Sequence, residues 1–460
     1  MVIKSLSIPS IVLFLIAMGP ADAIQHDNAA DAALPWPNYA AQGEYAAAIE
    51  AAIETETLPE GMPAEFAAQF LQDGKAQLLN FTGRYNEAHA FVAPLMFSQD
   101  WMPPEDGDLW VAPDALEQYR AVNAIEFIRA AASDRQIVII NESHQMGRHR
   151  AFMAELLPIL RAEGFTHFGM EALSEASESV WENNGVPVRE MAFYFGDPLM
   201  AEVLATADRE GFEWFPYEIR NDQRLDCTTQ DCSQEDRIQH RETSQAQNIY
   251  DRVFADNPDA RLVLFVGLAH LDETPGVSVS GYRNGWMAAA LSELTGNDPL
   301  TIDQVSGAGI GSNRVSMSAR LIHEHFNFSE PSVLLDVNDQ PLAPPVDRWT
   351  ADLAVFMPIE SPEEGRRPVW LAEQPNRHSV WIDVSDVSDR PAVIQAFRLP
   401  IVDNAVAIDQ FSLPHGDQFS LPNGETNGRV ELLLSPGEYQ IHIQLADELI
   451  VRPDTVVISE

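Results

Sequence analysis

Two apolar segments of the chain each run directly into a histidine. The first is Gln136–His144, which reads Gln-Ile-Val-Ile-Ile-Asn-Glu-Ser-His, and the second is Arg261–His270, which reads Arg-Leu-Val-Leu-Phe-Val-Gly-Leu-Ala-His. Continuous apolar runs of this length are typical of strands that are buried on both faces of a parallel sheet. Because open α/β folds bind ligands at the carboxyl ends of their strands, the two segments predict a site where the histidines meet.

The region from about residue 112 to 375 alternates strand-like and helix-like segments. Strands are predicted at 137–140, 166–170, 212–217, 262–266 and 300–305. The apolar spacing also predicts a helix over 114–132 and another over 150–163, the latter ended by Gly164. This alternation favours an α/β fold with a mostly parallel sheet flanked by helices.

The segments on either side of this region differ from it. Residues 24–111 look helical and contain two G-x-Y-x-x-A patterns, at Gly43 and Gly83, reminiscent of tetratricopeptide helix pairs. Two copies are too few for a solenoid, so we predict a helical N-terminal arm outside the site, with peptide binding as the minor alternative. Residues 376–460 contain short strand-like runs and the turn signal Ser435–Glu438, which predict a small C-terminal β-sandwich.

The first residues have the pattern of an export signal. Lys4 precedes the apolar run Leu6–Met18, and Ala21–Ala23 has the small-x-small spacing of a cleavage site. We therefore predict a signal peptide over residues 1–23 and a periplasmic or extracellular protein. No later stretch approaches about 20 uninterrupted apolar residues, so no membrane insertion is expected after signal removal.

The charge and the cysteines narrow the partners and the compartment. The chain has 70 acidic and 28 basic residues and a formal net charge of −42. Nucleic acid is not expected as a partner, because its binding requires basic side chains that neutralise phosphates. The two cysteines, Cys227 and Cys232, lie close together in a polar segment, which predicts a disulfide in an oxidising compartment.

Polar side chains follow four of the predicted strands. In chain order these are Glu142 and His144, then Glu171, then Glu218, and finally His270 and Asp272. Such convergence of titratable groups at one sheet edge indicates an active site. The alternative for Glu142 and Glu171 is structural, since a glutamate after a strand commonly stabilises the first turn of the next helix.

These residues resemble a known group of proteins. Asn141–His144 is similar to the G-E-x-H motif of the erythromycin esterase family and its ChaN and Tiki relatives, and Gly267–His270 is similar to their G-x-x-H. Gly164–Glu171 resembles the G-F…E strand of that superfamily, and Arg241–Asn248 resembles its R-E/D-x-x-M-A-x-N helix. The resemblance covers roughly residues 112–375.

The resemblance implies an α/β fold with its site at the strand ends. The active-site set that it implies is Glu142, His144, Glu171 and His270, with Arg241 and Glu242 as a supporting pair. The chain departs from the pattern where Asn141 replaces a glycine and Gln245 replaces a methionine. The superfamily includes ester hydrolysis, metal-dependent proteolysis and haem binding, and all three stay open.

The leading hypothesis is hydrolysis of a small ester or related acyl compound without an obligatory cofactor. His144 would serve as general base, Glu142 or Glu171 would orient it, and His270 would polarise the carbonyl or protonate the leaving group. In a metal-dependent version, His144, His270 and Glu171 would bind zinc or manganese. The rival hypotheses are a ChaN-like haem-binding protein and a scaffold whose site has decayed. We expect no partner protein to bind through the helical arm.

Overall fold

The computed structural model describes most of the chain after its first 35 residues. The described ranges are 36–54, 64–98, 109–171, 173–227, 232–276, 283, 285–345, 349–360, 367–387, 391–413 and 428–459. The predicted signal peptide lies outside them. Within these ranges, no helix combines the length and the apolar character needed to cross a bilayer.

A parallel sheet forms the centre of the molecule. The first eight strands are β1 (Arg120–Asn123), β2 (Ile137–Glu142), β3 (His167–Met170), β4 (Glu213–Pro216), β5 (Leu262–Gly267), β6 (Leu300–Asp303), β7 (Ser332–Leu335) and β8 (Leu353–Ala354). Six of them form this sheet in the order β4-β3-β5-β2-β6-β8, and every neighbouring pair is parallel. The register places Glu142 of β2 beside Gly267 of β5, so the two histidine-bearing strands are neighbours.

Helices cover both faces of the sheet. Those of the described region up to β8 are α1 (Trp36–Ala41), α2 (Tyr45–Glu54), α3 (Ala64–Phe81), α4 (Tyr85–Val92), α5 (Ala124–Ala132), α6 (Gly147–Ala162), α7 (Ser177–Asn184), α8 (Pro198–Arg209), α9 (Gln234–Ile249), α10 (Met287–Thr295) and α11 (Asn313–Phe326). Ile140 packs into one hydrophobic cluster with residues of α5, α6 and α8, whereas Ile139 packs into another with residues of α9 and α10. Successive strand residues point to opposite faces, which explains why the whole strand is apolar. The predicted α/β fold with a mostly parallel sheet is confirmed.

The prediction of one helix over 114–132 is wrong. The segment forms a 3-10 helix at Pro113–Gln118, then β1, and then α5. β1 pairs antiparallel with β7, a strand about 200 residues later in the chain. A local sequence pattern cannot predict so distant a partner. The side chain of Asn123 accepts a hydrogen bond from Glu126 N at 3.0 Å, so helix α5 begins only after this N-cap.

The N-terminal helices pack between the parallel sheet region and the C-terminal part of the chain. Phe81 at the end of α3 lies edge-to-face against Phe193, and its carbonyl oxygen accepts a hydrogen bond from Gln410. The hydroxyl groups of Thr82 and Ser412 lie 2.9 Å apart. The end of α3 therefore contacts both neighbouring parts of the chain.

The C-terminal part of the chain consists mainly of antiparallel strands. After the short helix α12 (Val369–Ala372) come β9 (His378–Asp383), β10 (Ala392–Arg398), β11 (Asp409–Leu413), β12 (Arg429–Leu434), β13 (Gly437–Gln444) and β14 (Leu449–Ile458). One sheet has the order β11-β10-β13-β14, and β12 pairs with β9 in another. Buried side chains of both sheets, among them Leu432 and Ile443, belong to one hydrophobic cluster.

Candidate active site

The end of β2 carries the first half of the site. Glu142, the last residue of this strand, is buried, and its Oε1 lies 2.8 Å from Nδ1 of His144. Its other oxygen accepts a hydrogen bond from Nε of Arg150 at 2.7 Å. Arg150 lies in the first turn of α6, and it also donates to the carbonyl oxygen of His144. The short connection from strand to helix thus fixes both the carboxylate and the imidazole.

A second carboxylate supports Arg150 from behind. Oδ2 of Asp197, also fully buried, accepts a hydrogen bond from Nη1 of Arg150 at 2.6 Å. Asp197 also accepts bonds from Tyr85 and Asn80, residues of the N-terminal helices, at 2.9 and 3.0 Å. The N-terminal helices, which were predicted to lie outside the site, thus contact Asp197, the carboxylate that supports Arg150.

The charges of this half follow from its hydrogen bonds. Burial works to raise the pKa of Glu142, but Arg150 and His144 outweigh it and hold that pKa below its ordinary value. Glu142 is therefore an anion at neutral pH and accepts the Nδ1–H of His144. None of the residues that the structure describes hydrogen-bonds Nε2 of His144.

The ends of β3 and β5 carry the second half. His270 lies between two carboxylates, with Nδ1 2.7 Å from Oε2 of Glu242 and Nε2 3.1 Å from Oε1 of Glu171. Arg241 donates to the same oxygen of Glu171 at 2.8 Å. The other oxygen of Glu171 accepts the backbone N–H of Gly267 at 2.5 Å, which ties the end of β3 to the end of β5.

The two histidines are electrostatically different. Burial acts to lower the pKa of His270, but Glu171 and Glu242 overcome it and raise the pKa to about 10. Burial likewise opposes ionisation of Glu171, yet His270 and Arg241 hold its pKa well below the usual range. His270 is thus an imidazolium, and each of its two N–H groups faces a carboxylate. Nε2 of His270 also lies 3.3 Å from Nη1 of Arg241, and both cations contact Glu171.

Glu218 completes the setting of Arg241. Its carboxylate accepts hydrogen bonds from Nε and Nη2 of Arg241 at 2.9 and 2.5 Å, a bidentate pair, and another from Gln245. Gln245, which stands where the resembling family has methionine, therefore supports the carboxylate that orients Arg241.

A glycine brings the two halves together. A Cβ added to Gly267 would lie 2.9 Å from Cε1 of His144 and 3.0 Å from Oε2 of Glu171, so both side chains lie against this backbone. The next residue, Leu268, has a φ of 33°, which a side chain of this type rarely adopts. This turn leads directly into the 3-10 helix Leu268–Leu271 that carries His270. Strain at a turn beside such a cluster is typical of a functional site.

Most of the predicted site residues lie together, but Asp272 has a different role. Asp272 is buried, but its Oδ1 accepts hydrogen bonds from Thr274 and Thr350, so it anchors two loops. Asn141 likewise connects strands: its side chain donates to Leu268 O and Asp303 and accepts from Gln304 N. A glycine could not form these bonds.

Tyr194 is the main member of the site that the sequence analysis missed. Its ring stacks on the imidazole of His144 with centroids 4.3 Å apart and planes at 21°. It lies in a 3-10 helix, Phe193–Gly196, which follows no predicted strand. Arg150 and Asp197 were missed as well, although Asp197-Pro198 has the N-cap and N1 pattern that starts a helix.

The residues named for the metal-dependent version do not fit a divalent cation in this arrangement. His270 has a carboxylate at each ring nitrogen, and the Arg241 guanidinium lies beside Nε2. A metal ligand must offer a free lone pair, and an adjacent guanidinium repels a cation. Throughout the part of the chain that is described, no three histidine, cysteine or carboxylate side chains could together hold a metal ion.

The predicted disulfide is confirmed. Cys227 and Cys232 are bonded, with their Cα atoms 5.4 Å apart. Disulfides form and persist in oxidising compartments, so the bond agrees with the expected export.

No protein-family model matches the sequence, and no curated protein matches it. Among solved structures, the chain is similar to the type III effector HopBA1, at 12% identity and a TM-score of 0.29, over 52% of this chain and 96% of that one. It is also similar to a bacterial protein toxin, at 14% identity and a TM-score of 0.31. A third similar structure is RRSP, a MARTX toxin effector domain from Vibrio vulnificus CMCP6, at 13% identity and a TM-score of 0.30. The match to the bacterial protein toxin spans 57% of this chain and 56% of that one, and the match to RRSP spans 58% of this chain and 55% of that one. Likenesses at this level decide neither fold nor function.

Proposed function

We propose that the protein is a hydrolase that cleaves an ester or related acyl bond of a small molecule. The observation that carries the proposal is the state of His144, whose Nδ1 is tied to an anionic Glu142 while Nε2 bonds no described residue. An imidazole oriented in this way can act as a general base toward water. The resemblance to the erythromycin esterase family supports the same assignment.

The reaction then needs no group from outside the chain. Nε2 of His144 accepts a proton as water attacks the carbonyl carbon, and the resulting imidazolium is stabilised by Glu142. The same proton passes to the leaving oxygen when the acyl bond breaks, which yields an acid and an alcohol. In this scheme the imidazolium of His270 and the guanidinium of Arg241 hold the carboxylate of Glu171 in place beside the reacting groups.

The assignment is tested by turnover of p-nitrophenyl esters and simple lactones. Because general-base assistance contributes about 10²- to 10⁴-fold, His144→Ala should lose activity by a factor in that range. His270→Ala should also lose activity, whereas His378→Ala, at an exposed position in β9, should not. Equal turnover by the wild type and by both site variants would refute the proposal.

Metal analysis of the same preparations addresses the metal-dependent version. We expect full activity after dialysis against a chelator. A near-stoichiometric zinc or manganese that disappears in His270→Ala would establish that version and contradict ours.

We also infer that the two antiparallel sheets pack as a small C-terminal β-sandwich and that the protein is exported. The hydrophobic cluster shared by the sheets supports the first inference, and the disulfide supports the second. A small molecule remains the proposed partner. The division of the chain near residues 111 and 375 stays a prediction.

A further inference from the structure

Tyr194 lies in the middle of the site but takes no part in the proposed hydrolysis by His144 and Glu142. Its ring covers one face of His144, and Cζ of Arg150 lies 5.9 Å from the ring centroid. The carboxylates of Glu171 and Glu142 both raise the pKa of its phenol. A ring stacked on His144 lies beside the place where a ligand of this imidazole would bind.

Three parts of the chain hold Tyr194 in place. Phe193, the preceding residue, packs edge-to-face on Phe81 of α3 with ring centroids 5.5 Å apart. The carbonyl oxygen of Gly196 accepts a hydrogen bond from Gln410 of β11 at 2.8 Å. The carbonyl oxygen of Tyr194 itself accepts the N–H of Asp197 at 3.0 Å. The ring is thus positioned before any ligand binds, as a functional side chain should be.

The hydroxyl group of Tyr194 bonds to none of the described residues, although the side chain is half-buried. Two other tyrosines have partners, since Tyr85 donates to Asp197 at 2.9 Å and Tyr439 to the carbonyl oxygen of Ser435 at 2.7 Å, whereas the buried hydroxyl of Tyr217 has none. Burial, together with Glu171 and Glu142, raises the pKa of Tyr194, so the group stays a protonated donor. Unlike the hydroxyl of Tyr217, that of Tyr194 is not fully buried, so the acceptor of a ligand can replace water as its partner.

We propose that the Tyr194 hydroxyl donates a hydrogen bond to the carbonyl oxygen of the substrate, while its ring keeps the His144 imidazole in its working plane. The inference rests on the proposed hydrolase function. His144 directs water to the carbonyl carbon, so a donor on the adjacent ring reaches the oxygen bonded to that carbon. That oxygen becomes negative as water adds, and a fixed donor stabilises it most at this stage.

Two substitutions separate the roles of ring and hydroxyl. Tyr194→Phe keeps the stacked ring and removes the donor, and we expect kcat on p-nitrophenyl acetate to fall about 10²-fold with little change in KM. Tyr194→Leu removes both, so kcat should fall further and the ¹⁵N signals of the His144 ring should shift. Tyr217→Phe is the matched control, because its buried hydroxyl also has no partner and lies near Glu171. It should behave as the wild type.

The results distinguish this inference from the proposed function. If the wild type hydrolyses esters and Tyr194→Phe does so at the same kcat, the hydroxyl does not contact the carbonyl and the inference is wrong. If the wild type hydrolyses no ester, the proposed function fails. The inference is then decided by binding of p-nitroacetanilide, a stable amide with the same carbonyl, followed by NMR. Binding about 10-fold weaker in Tyr194→Phe supports it, whereas equal binding, or none by the wild type, overturns it.

Discussion

Gly267 lies directly against His144, so that a Cβ at this glycine would approach Cε1 of the imidazole to 2.9 Å. The imidazole has little room to retreat, because Tyr194 covers its face and Glu142 holds Nδ1. The same Cβ would lie 3.0 Å from Oε2 of Glu171, which accepts the N–H of Gly267. The absence of a side chain here is what lets the two halves of the site meet.

Gly267→Ala should therefore impair catalysis more than folding. A displacement of His144 by a few tenths of an ångström or more should lower kcat on an ester substrate by up to about 10²-fold. Gly169→Ala is the matched control, since its Cβ would crowd Leu264 in the same sheet at 2.6 Å. We expect this control to lose stability but to keep its kcat per folded molecule. A larger kcat loss in the control than in Gly267→Ala would contradict the explanation.

Arg150 should contribute strongly to stability because it is fully buried between Glu142 and Asp197. Arg150→Met leaves two buried carboxylates without their guanidinium partner, and removing one member of a buried ion pair costs about 3–5 kcal/mol. The free energy of unfolding in urea measures this loss. Arg252→Met, which breaks a surface pair with Glu178, should cost no more than about 1 kcal/mol. Equal losses in the two variants would show that the buried pair is not stabilising.

Asn80 connects the N-terminal helices to the site. Its Oδ1 accepts the N–H of Gly147, the first residue of α6, at 2.6 Å, and its Nδ2 donates to Asp197 at 3.0 Å. Asn80→Ala should cost about 1–3 kcal/mol, since it leaves the buried N–H of Gly147 without an acceptor and removes one of the hydrogen bonds to Asp197. Asn80→Asp should be worse, because it replaces the donor to Asp197 with a second carboxylate. A urea melt in which Asn80→Asp is as stable as the wild type would exclude this network.

The strands that carry the site could be predicted because their signal is local. β2 and β5 are continuous apolar runs, and the rule that parallel strands gather their carboxyl ends placed Glu142, His144, Glu171 and His270 at one edge. The rule says nothing about partners on distant elements. Arg150 and Tyr194 are therefore invisible in the sequence, since each acts through contacts that only the tertiary packing creates.

The carboxylates that contact each of the two histidines could not be predicted from the sequence either. Both follow an apolar strand, so the sequence presents them as a repeated design. Their difference arises from the number of carboxylates around each ring, one for His144 and two for His270. Glu242 lies on α9, 28 residues before His270 in the chain, and no spacing rule connects them.

Acid should weaken the fold through a second buried histidine. His149 is fully buried beneath the β2–α6 turn, where its Nδ1 accepts the N–H of Ser143, and burial lowers its pKa to about 3. In the unfolded chain the imidazole titrates near 6.5, so between these values only the unfolded chain is protonated. The stability that His149 contributes is complete above about pH 6.5 and is lost as pH falls towards 3, at about 1.4 kcal/mol per unit.

His149→Asn, which keeps an acceptor for Ser143, should remove this dependence. The free energy of unfolding of the wild type should fall more steeply between pH 7 and 5 than that of the variant. His378→Asn, at an exposed site, should retain the wild-type slope. Parallel curves for the wild type and His149→Asn would mean that His149 is not held neutral.

Alkali should weaken the fold through His270, because the pKa of this histidine is raised in the folded state and not lowered as it is for His149. Its folded-state pKa of about 10 exceeds the value near 6.5 of an unfolded histidine, so its contribution to stability is complete below pH 6.5 and is lost as pH rises towards 10.

Glu242→Gln removes one of the two carboxylates that raise the pKa of His270 and should bring it several tenths of a unit or more closer to 6.5. Titration of the ¹⁵N-labelled ring measures the shift directly, and the urea unfolding free energy of the variant should decline less between pH 7 and 9. Glu235→Gln, an exposed position at the start of the same helix, should leave the ring titration unchanged. A wild-type His270 ring that is neutral at pH 8 would contradict the imidazolium.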